Sequence, residues 1–235
     1  MYGKAATYYD AIYSWKDYEK ETKKLHKFIC LYKKSKGNTL LDVACGTGNH
    51  LRILKKIYAV EGLDINPIQL EQARKKLPRV RFYKRDMRSF DLGKKYDVIT
   101  CLFSAIGFVK TRKGLDQAIG RMSYHLKPRG LLLLEPWFTP DQWHIGHLHA
   151  NFVDKPGLKL ARMSISKRKG RLSLNDEHTL VASPTTIEYF VERLEMGLFT
   201  DKEYRDAFKR AALEVIHHPE GPIGRGLYIG LKPAR

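Results

Sequence analysis

Nowhere in its 235 residues does this chain run on for the about 18 uncharged apolar residues that a membrane-spanning helix requires. Its first ten residues also lack the apolar core of a secretion signal. Both absences point to a cytoplasmic protein with no membrane partner. Cysteine is scarce: Cys30, Cys45 and Cys101 fall at no metal-binding spacing and frame no disulfide scaffold, so they are read as reduced thiols. Acid is scarce too, with 25 Asp and Glu against 43 Lys and Arg, a formal charge of +18. That excess admits a polyanionic partner, but nucleic acid needs a coherent basic face rather than a surplus. The best candidate is residues 151–171, with seven Lys or Arg against one Asp. A solvated Lys-rich surface is the plainer reading, and a phosphorylated small substrate would benefit as well. At this length one α/β domain with an insertion is expected.

What is present is organised around residues 40–50, LLDVACGTGNH, where an apolar run breaks into Gly46-Thr47-Gly48 before a helical pattern. This is a strand, a tight turn and a helix start. The two glycines let the backbone turn sharply and approach a ligand, and the unpaired amides of the helix point into the same space. A nucleotide-like cofactor is the natural occupant. The dinucleotide form of the loop needs a third glycine three residues on, where Leu51 stands, so NAD and FAD are disfavoured. Residues 58–64 read as a second strand ending in Asp64, 22 positions after Asp42. A carboxylate there is placed to accept both hydroxyls of an adenosine ribose.

Taken in order, residues 1–36 fit two amphipathic helices, with Ile12, Trp15, Tyr18, Leu25 and Phe28 at helical spacing. Residues 49–56 read as helix. Asn66, Pro67 and Gln69 are the N-cap, first turn and capping-box partner of another, with Ile65 and Leu70 as staple. Strands at 80–83, 96–103 and 131–134 and a helix at 114–126 complete an alternation that builds a parallel sheet. Ligands bind beyond the carboxyl ends of such strands, so Ala44, Asp64, Asp86, Leu102 and Glu135 should converge. From 137 to 196 the pattern changes to short alternating stretches (158–165, 171–174, 187–194), which predicts an inserted antiparallel β layer. Thr200 and Glu203 then form a capping box, and residues 215–217 and 227–231 close the chain as a hairpin. The predicted division is a core of 1–136 and 197–235, whose first 36 residues form a helical lid, and an insertion of 137–196 for substrate or dimer contacts.

The strand and loop at 41–48 are similar to motif I of the class I S-adenosylmethionine (SAM) methyltransferases. Over nearly its whole length the chain resembles the N,N-dimethyltransferases of nucleotide-linked deoxyaminosugars, through Tyr9-Asp10, Lys16-Asp17-Tyr18, LLDVACGTGNHLR, VEGLDI, RDMRSF, TCLFSAIG, LEPWF, LFT and GPIGRGLYIG. The resemblance implies a Rossmann-like methyltransferase sheet with a C-terminal antiparallel hairpin, and SAM as cofactor. It implies that Tyr9 and Tyr18 close over the methionyl end and that Ala44, Cys45 and Gly46 lie along it, with Gly48 completing the loop. Asp64 would hold the ribose, Ile65 would also belong to the cofactor site, Asp86 and Met87 would bracket the adenine, and Leu102 would form a pocket wall.

One departure bears on the acceptor. The family pattern continues SIGH after the fourth strand, and here the last position is Phe108. The polar candidate for the reacting end is gone, and the catalytic group is left unassigned. Methyl transfer is a displacement that needs mainly alignment, so a base is optional for a neutral amine. Phe108, Trp137, Phe138, Trp143 and Arg225 are expected to line the acceptor pocket, with the Arg225 fork suited to a phosphate. His144, His147 and His149 do not present a closed ligand set, and no metal is expected. The expected function is methyl transfer from SAM to a small molecule, an amino-sugar nucleotide or other amine. An RNA methyltransferase and a non-catalytic SAM-binding protein are the competing readings. A homodimer through the inserted layer is also expected.

Overall fold

The computed structural model describes residues 3–234. A 3₁₀ turn (Lys4–Tyr8), α1 (Tyr9–Ile12) and α2 (Tyr18–Tyr32) precede an alternating run: β1 (Thr39–Val43), α3 (Asn49–Leu54), β2 (Ala59–Asp64), α4 (Pro67–Lys76), β3 (Arg81–Lys84) and β4 (Tyr96–Cys101). After a second 3₁₀ turn (Ala105–Val109) come α5 (Arg112–Tyr124) and β5 (Leu126–Leu134). The insertion supplies β6 (Leu148–Lys155), β7 (Leu158–Lys169), β8 (Leu172–Ala182) and β9 (Ile187–Gly197), and α6 (Asp201–Arg210), β10 (Glu214–His218) and β11 (Leu227–Leu231) end the fold.

Two sheets result. The larger runs β10-β11-β5-β4-β1-β2-β3, parallel from β5 through β3 and antiparallel where β11 joins β5 and β10 joins β11. Leu40, Leu41, Val43, Val98, Ile99 and Leu131–Leu134 are buried because helices cover both faces of these strands. One core lies between the sheet and α5 with α6, the other between the sheet and α2 with α3. The smaller sheet is the antiparallel meander β6-β7-β8-β9. The α/β class, the terminal hairpin and the antiparallel insertion agree with expectation.

Helix starts follow local chemistry. Asn66 Oδ1 accepts from the amides of Ile68 and Gln69, and Thr200 with Glu203 forms a reciprocal capping box. Several boundaries differ from the sequence reading: the third helix ends at Leu54 and the fourth strand at Cys101, each two residues early. The fifth helix starts at Arg112 because the Thr111 hydroxyl caps it. The fifth strand begins at Leu126, and Pro128-Arg129-Gly130 is a bulge within it that shifts the register between Tyr96 and Val98. The insertion's strands are 8 to 12 residues long, and the first of them, β6, went unpredicted.

The N-terminal segment is mostly tight turns before α2 rather than two full helices. Side chains tie it to both sheets. The Asp10 carboxylate accepts from Thr47 Oγ1 at 2.7 Å and Asn49 Nδ2 at 3.0 Å and pairs with Lys76 at 2.6 Å. Gln72 holds the Ala6 carbonyl, Glu192 of β9 accepts the Ala5 amide, and Lys4 pairs with Glu188. Residues 4–10 thus bridge the glycine loop and the insertion.

Candidate active site

A cavity of about 370 Å³ opens where the carboxyl ends of β1, β2 and β4 meet the inner face of the inserted sheet. Such strand ends collect ligands because the sheet order reverses there and neighbouring loops splay apart. A larger groove, about 650 Å³, lies at the opposite ends of the strands, lined by Lys55, Arg79, Lys94 and Lys95. It is away from the glycine loop and holds none of its chemistry.

Most of the residues singled out from sequence line the one cavity: Tyr9, Tyr18, Ala44, Cys45, Gly46 and Asp64, then Ile65, Met87 and Leu102. Phe108, Trp137, Phe138, Trp143 and Arg225 line it too. Two stand outside the lining. The Asp86 carboxylate is turned to Arg88, which binds it through its amide and guanidinium. Gly48 caps α3 with φ 77°, and a Cβ there would press on Leu77 at 3.2 Å and Ala73 at 3.5 Å, so this glycine serves the contact between α3 and α4. Gly46 faces the cavity with φ 56°, where an added Cβ would sit 3.3 Å from Gln69 Oε1.

Acidic groups line the inner end. Asp64 Oδ2 accepts the Gly46 amide and Oδ1 the Asn66 amide, each at 2.8 Å, so this carboxylate fastens the end of β2 to the glycine loop. Burial still pushes it above its ordinary range. Asp42 lies deeper, with the Thr100 hydroxyl donating at 2.7 Å, and burial pushes it up to about 7. Glu135, just beyond the cavity lining, is likewise pushed up to about 7 by burial; its Oε2 accepts the Phe103 amide at 2.6 Å. That contact holds Phe103 and Ser104, consecutive residues at φ 51° and 59°, in the left-handed region that non-glycine residues rarely adopt. Burial also raises the Tyr18 phenol to about 12, so it stays protonated.

Aromatic side chains close the other end. Arg225 stands 5.1 Å from the Trp137 and Phe138 rings and 5.8 Å from Phe103, and it donates to Ser104 Oγ at 3.2 Å. Trp137 Nε1 donates to Ser173 Oγ of β8 at 2.9 Å, and Trp143 Nε1 to the Lys167 carbonyl at 2.9 Å. These rings join core to insertion as well as lining the cavity.

Sequence reasoning missed Tyr13 and the polar residues that the insertion turns inward. Tyr13 packs edge-on against Phe103 and carries Arg162 over its face at 5.3 Å. Arg162, Ser164, Ser166, Asn175 and Glu177 line the cavity. Their signal was the alternation along β7, where Arg162, Ser164 and Ser166 interleave with Ala161, Met163 and Ile165. The expected direction of such a pattern is apolar inward, and here it is reversed: Met163 and Ile165 are exposed. Of the seven basic residues of 151–171, four face a carboxylate. Lys159 pairs with Asp154, Arg162 with Glu177, Lys167 with Asp176 and Arg171 with Glu203. Among the described residues no group of three or more His, Cys, Asp and Glu could hold a metal ion, and no helix is long and apolar enough to cross a membrane.

The cavity suits SAM on its own chemistry. Asp42 and Asp64 place negative charge, and Tyr9, Tyr13 and Tyr18 place aromatic faces, around a space that would take a sulfonium cation. Gln69 Nε2 is buried there without a protein partner, a donor waiting for an acceptor. Comparison with known proteins agrees. Residues 40–130 match the family described as "Methyltransferase domain". A Streptomyces fradiae protein, dTDP-3-amino-3,6-dideoxy-alpha-D-glucopyranose N,N-dimethyltransferase, is 38% identical over 99% of this chain and 92% of its own. The crystal structure of DesVI from Streptomyces venezuelae superposes with a TM-score of 0.92 at 35% identity, covering 100% of both chains. SAM-bound CalS10, an amino pentose methyltransferase from Micromonospora echinaspora, gives 0.87 at 36% identity, over 99% of this chain and 98% of that one. Fold, loop and cavity chemistry meet with near full-length likeness, and the chain therefore belongs to the class I SAM-dependent methyltransferases, in the family of the nucleotide-deoxyaminosugar N,N-dimethyltransferases.

Proposed function

We propose that the acceptor is the amino group of a nucleotide-linked deoxyaminosugar. The observation that carries this is the shape of the cavity beyond the glycine loop: a polar sheet face on one side, and at the end Arg225 among aromatic rings. A guanidinium there suits a diphosphate, and flat rings suit a base. Near full-length relatives act on dTDP-linked amino sugars. At the cofactor end, Asp64 takes the ribose, the 44–46 backbone follows the methionyl chain, and Met87 and Leu102 bound the adenine. Gln69 offers a further donor.

SAM supplies an electrophilic methyl group; the chain's residues orient and enclose. Tyr9, Tyr13, Trp15 and Tyr18 cover the cavity from the N-terminal segment, which Asp10 locks to Thr47 and Asn49. Closing it excludes water and holds the acceptor nitrogen in line, which is the main requirement of a displacement. Phe108 presents an apolar wall where the family pattern has histidine, so the amine is expected to arrive neutral.

The second copy expected from sequence fits the outer face of the inserted sheet. Leu148, Phe152, Met163, Ile187, Tyr189 and Val191 are exposed there, an apolar surface beyond what a monomer normally shows to water. Packing two such faces gives a homodimer whose cavities stay open on the inner sides. The three free cysteines favour the reducing cytoplasm.

The test is transfer of labelled methyl from SAM to dTDP-3-amino-3,6-dideoxyglucose, a free small amine and tRNA. Transfer to the nucleotide sugar is expected, with Arg225→Ala raising its KM roughly tenfold or more and leaving SAM affinity unchanged. Transfer to tRNA alone would replace this reading with the nucleic-acid one.

A further inference from the structure

The inner face of the inserted sheet is polar at its centre, where a covered sheet face is ordinarily apolar. Its two ends conform. Val153, Leu160 and Val181 pack under the N-terminal segment, and Met196 closes on the Ala105–Val109 turn at Gly107. Between them His149, Arg162, Ser164, Ser166, Asn175 and Glu177 face the cavity. Across the ladder of β7 and β8, Ser166 stands opposite Asn175 and Arg162 opposite Thr179. The Glu177 side chain is only 9% exposed. Arg162 Nε lies 3.5 Å from its Oε2, near enough for charge attraction, yet Oε2 accepts no hydrogen bond. Asn175 Oδ1 accepts none either. Buried acceptors without donors are costly unless something that binds supplies them.

We propose that this polar stripe is the subsite for the acceptor's sugar ring, with Glu177 and Asn175 accepting hydrogen bonds from its amino and hydroxyl groups. The inference rests on the amino-sugar nucleotide reading and says which part of that molecule lies on the inserted sheet. The required ligand is rich in donors, which a ring carrying an amine beside a hydroxyl supplies and a plain alkyl or aryl amine does not. A phosphate is unsuited to the same place, because it would meet Glu177 and Asn175 Oδ1 as acceptor against acceptor, and the cation of this stripe, Arg162, already faces the Glu177 carboxylate. That leaves the diphosphate to Arg225, at the aromatic end. The buried polar face therefore selects the sugar, while the aromatic cluster selects the nucleotide. Such a division lets a site reject an acceptor that lacks a hydroxyl, since its own buried groups would go unpaired.

Calorimetry on the protein saturated with S-adenosylhomocysteine (SAH) tests it, with dTDP and dTDP-3-amino-3,6-dideoxyglucose as probes. Wild type should bind the amino-sugar nucleotide more tightly than dTDP. Glu177→Gln and Asn175→Ala should each remove roughly tenfold to a hundredfold of that added affinity while binding dTDP as wild type does. Equal losses for both probes would mean a general collapse of the cavity and would overturn the proposal, as would variants that bind both probes normally. If dTDP binds wild type and the sugar adds nothing, the subsite alone falls. Should neither probe bind wild type, the amino-sugar nucleotide reading falls and takes the subsite with it.

Discussion

Replacing Asp64 by alanine removes one carboxylate with two duties. Toward the cofactor, on the role proposed for it above, it accepts two ribose hydroxyls, each a charge-assisted bond of about 1.5 kcal/mol, so SAM affinity should drop by about 3 kcal/mol, or roughly a hundredfold. Toward the protein it accepts the Gly46 and Asn66 amides at 2.8 Å, which the substitution leaves without their partner. Stability should fall as well, though by less than two lost hydrogen bonds imply, because the variant no longer buries a carboxylate that burial already disfavours. A drop in affinity alone would therefore not distinguish a lost ribose contact from a slackened glycine loop. The decisive assay is calorimetry with methylthioadenosine and its 2′,3′-dideoxy analogue against both proteins. Wild type should prefer the hydroxyl-bearing ligand about a hundredfold, and Asp64→Ala should hardly discriminate. If the variant keeps the wild-type preference, the hydroxyls are held elsewhere and the ribose assignment fails.

Phe108→His should raise kcat/KM for amino-sugar nucleotides between about pH 6.5 and 8, where a neutral imidazole can take the proton that the amine still carries, with SAM affinity unchanged; no change in the pH profile would place Phe108 away from the reacting end. Asp42 and Glu135, both pushed up to about 7 by burial, gain charge as pH rises through that value, and a cation beside them is then favoured. SAM should accordingly bind more tightly at pH 8 than at pH 6 while SAH, lacking the sulfonium charge, changes less, and a constant SAM-to-SAH ratio in calorimetry would refute the account. Ile187→Lys combined with Tyr189→Lys should convert a dimer to monomers in sedimentation while sparing the fold; sedimentation of the unaltered protein as a monomer would remove the outer-face interface.

The alternation of elements, the glycine loop and its acidic partner on the second strand were legible because each rests on local rules. A strand buried on both faces must be continuously apolar, as residues 131–134 are. A turn at positive φ favours glycine, as at Gly46. The caps at Asn66 and Thr200 are short-range hydrogen bonds that any reading of side-chain types can find. The resemblance carried the rest of the cofactor end, and its motifs at 9–10, 41–48 and 135–138 contribute to one cavity.

The insertion was harder to read, because alternation says that a strand has two unlike faces without saying which one the protein covers. In β7 the polar set turned inward, since the N-terminal segment and the aromatic hinge at Trp137 placed a cavity beneath it. The fate of Asp86, drawn off by Arg88, and the second role of Asp64 as a clasp on the glycine loop were likewise settled by contacts among neighbours in space. The sheet, the cofactor loop and the chemistry available at the strand ends could be read from residue order, because periodicity, turns and caps are written within a few residues of one another. Which polar groups are buried without partners, and which apolar face is left to water, emerged with the folded chain, because both depend on what distant segments leave uncovered.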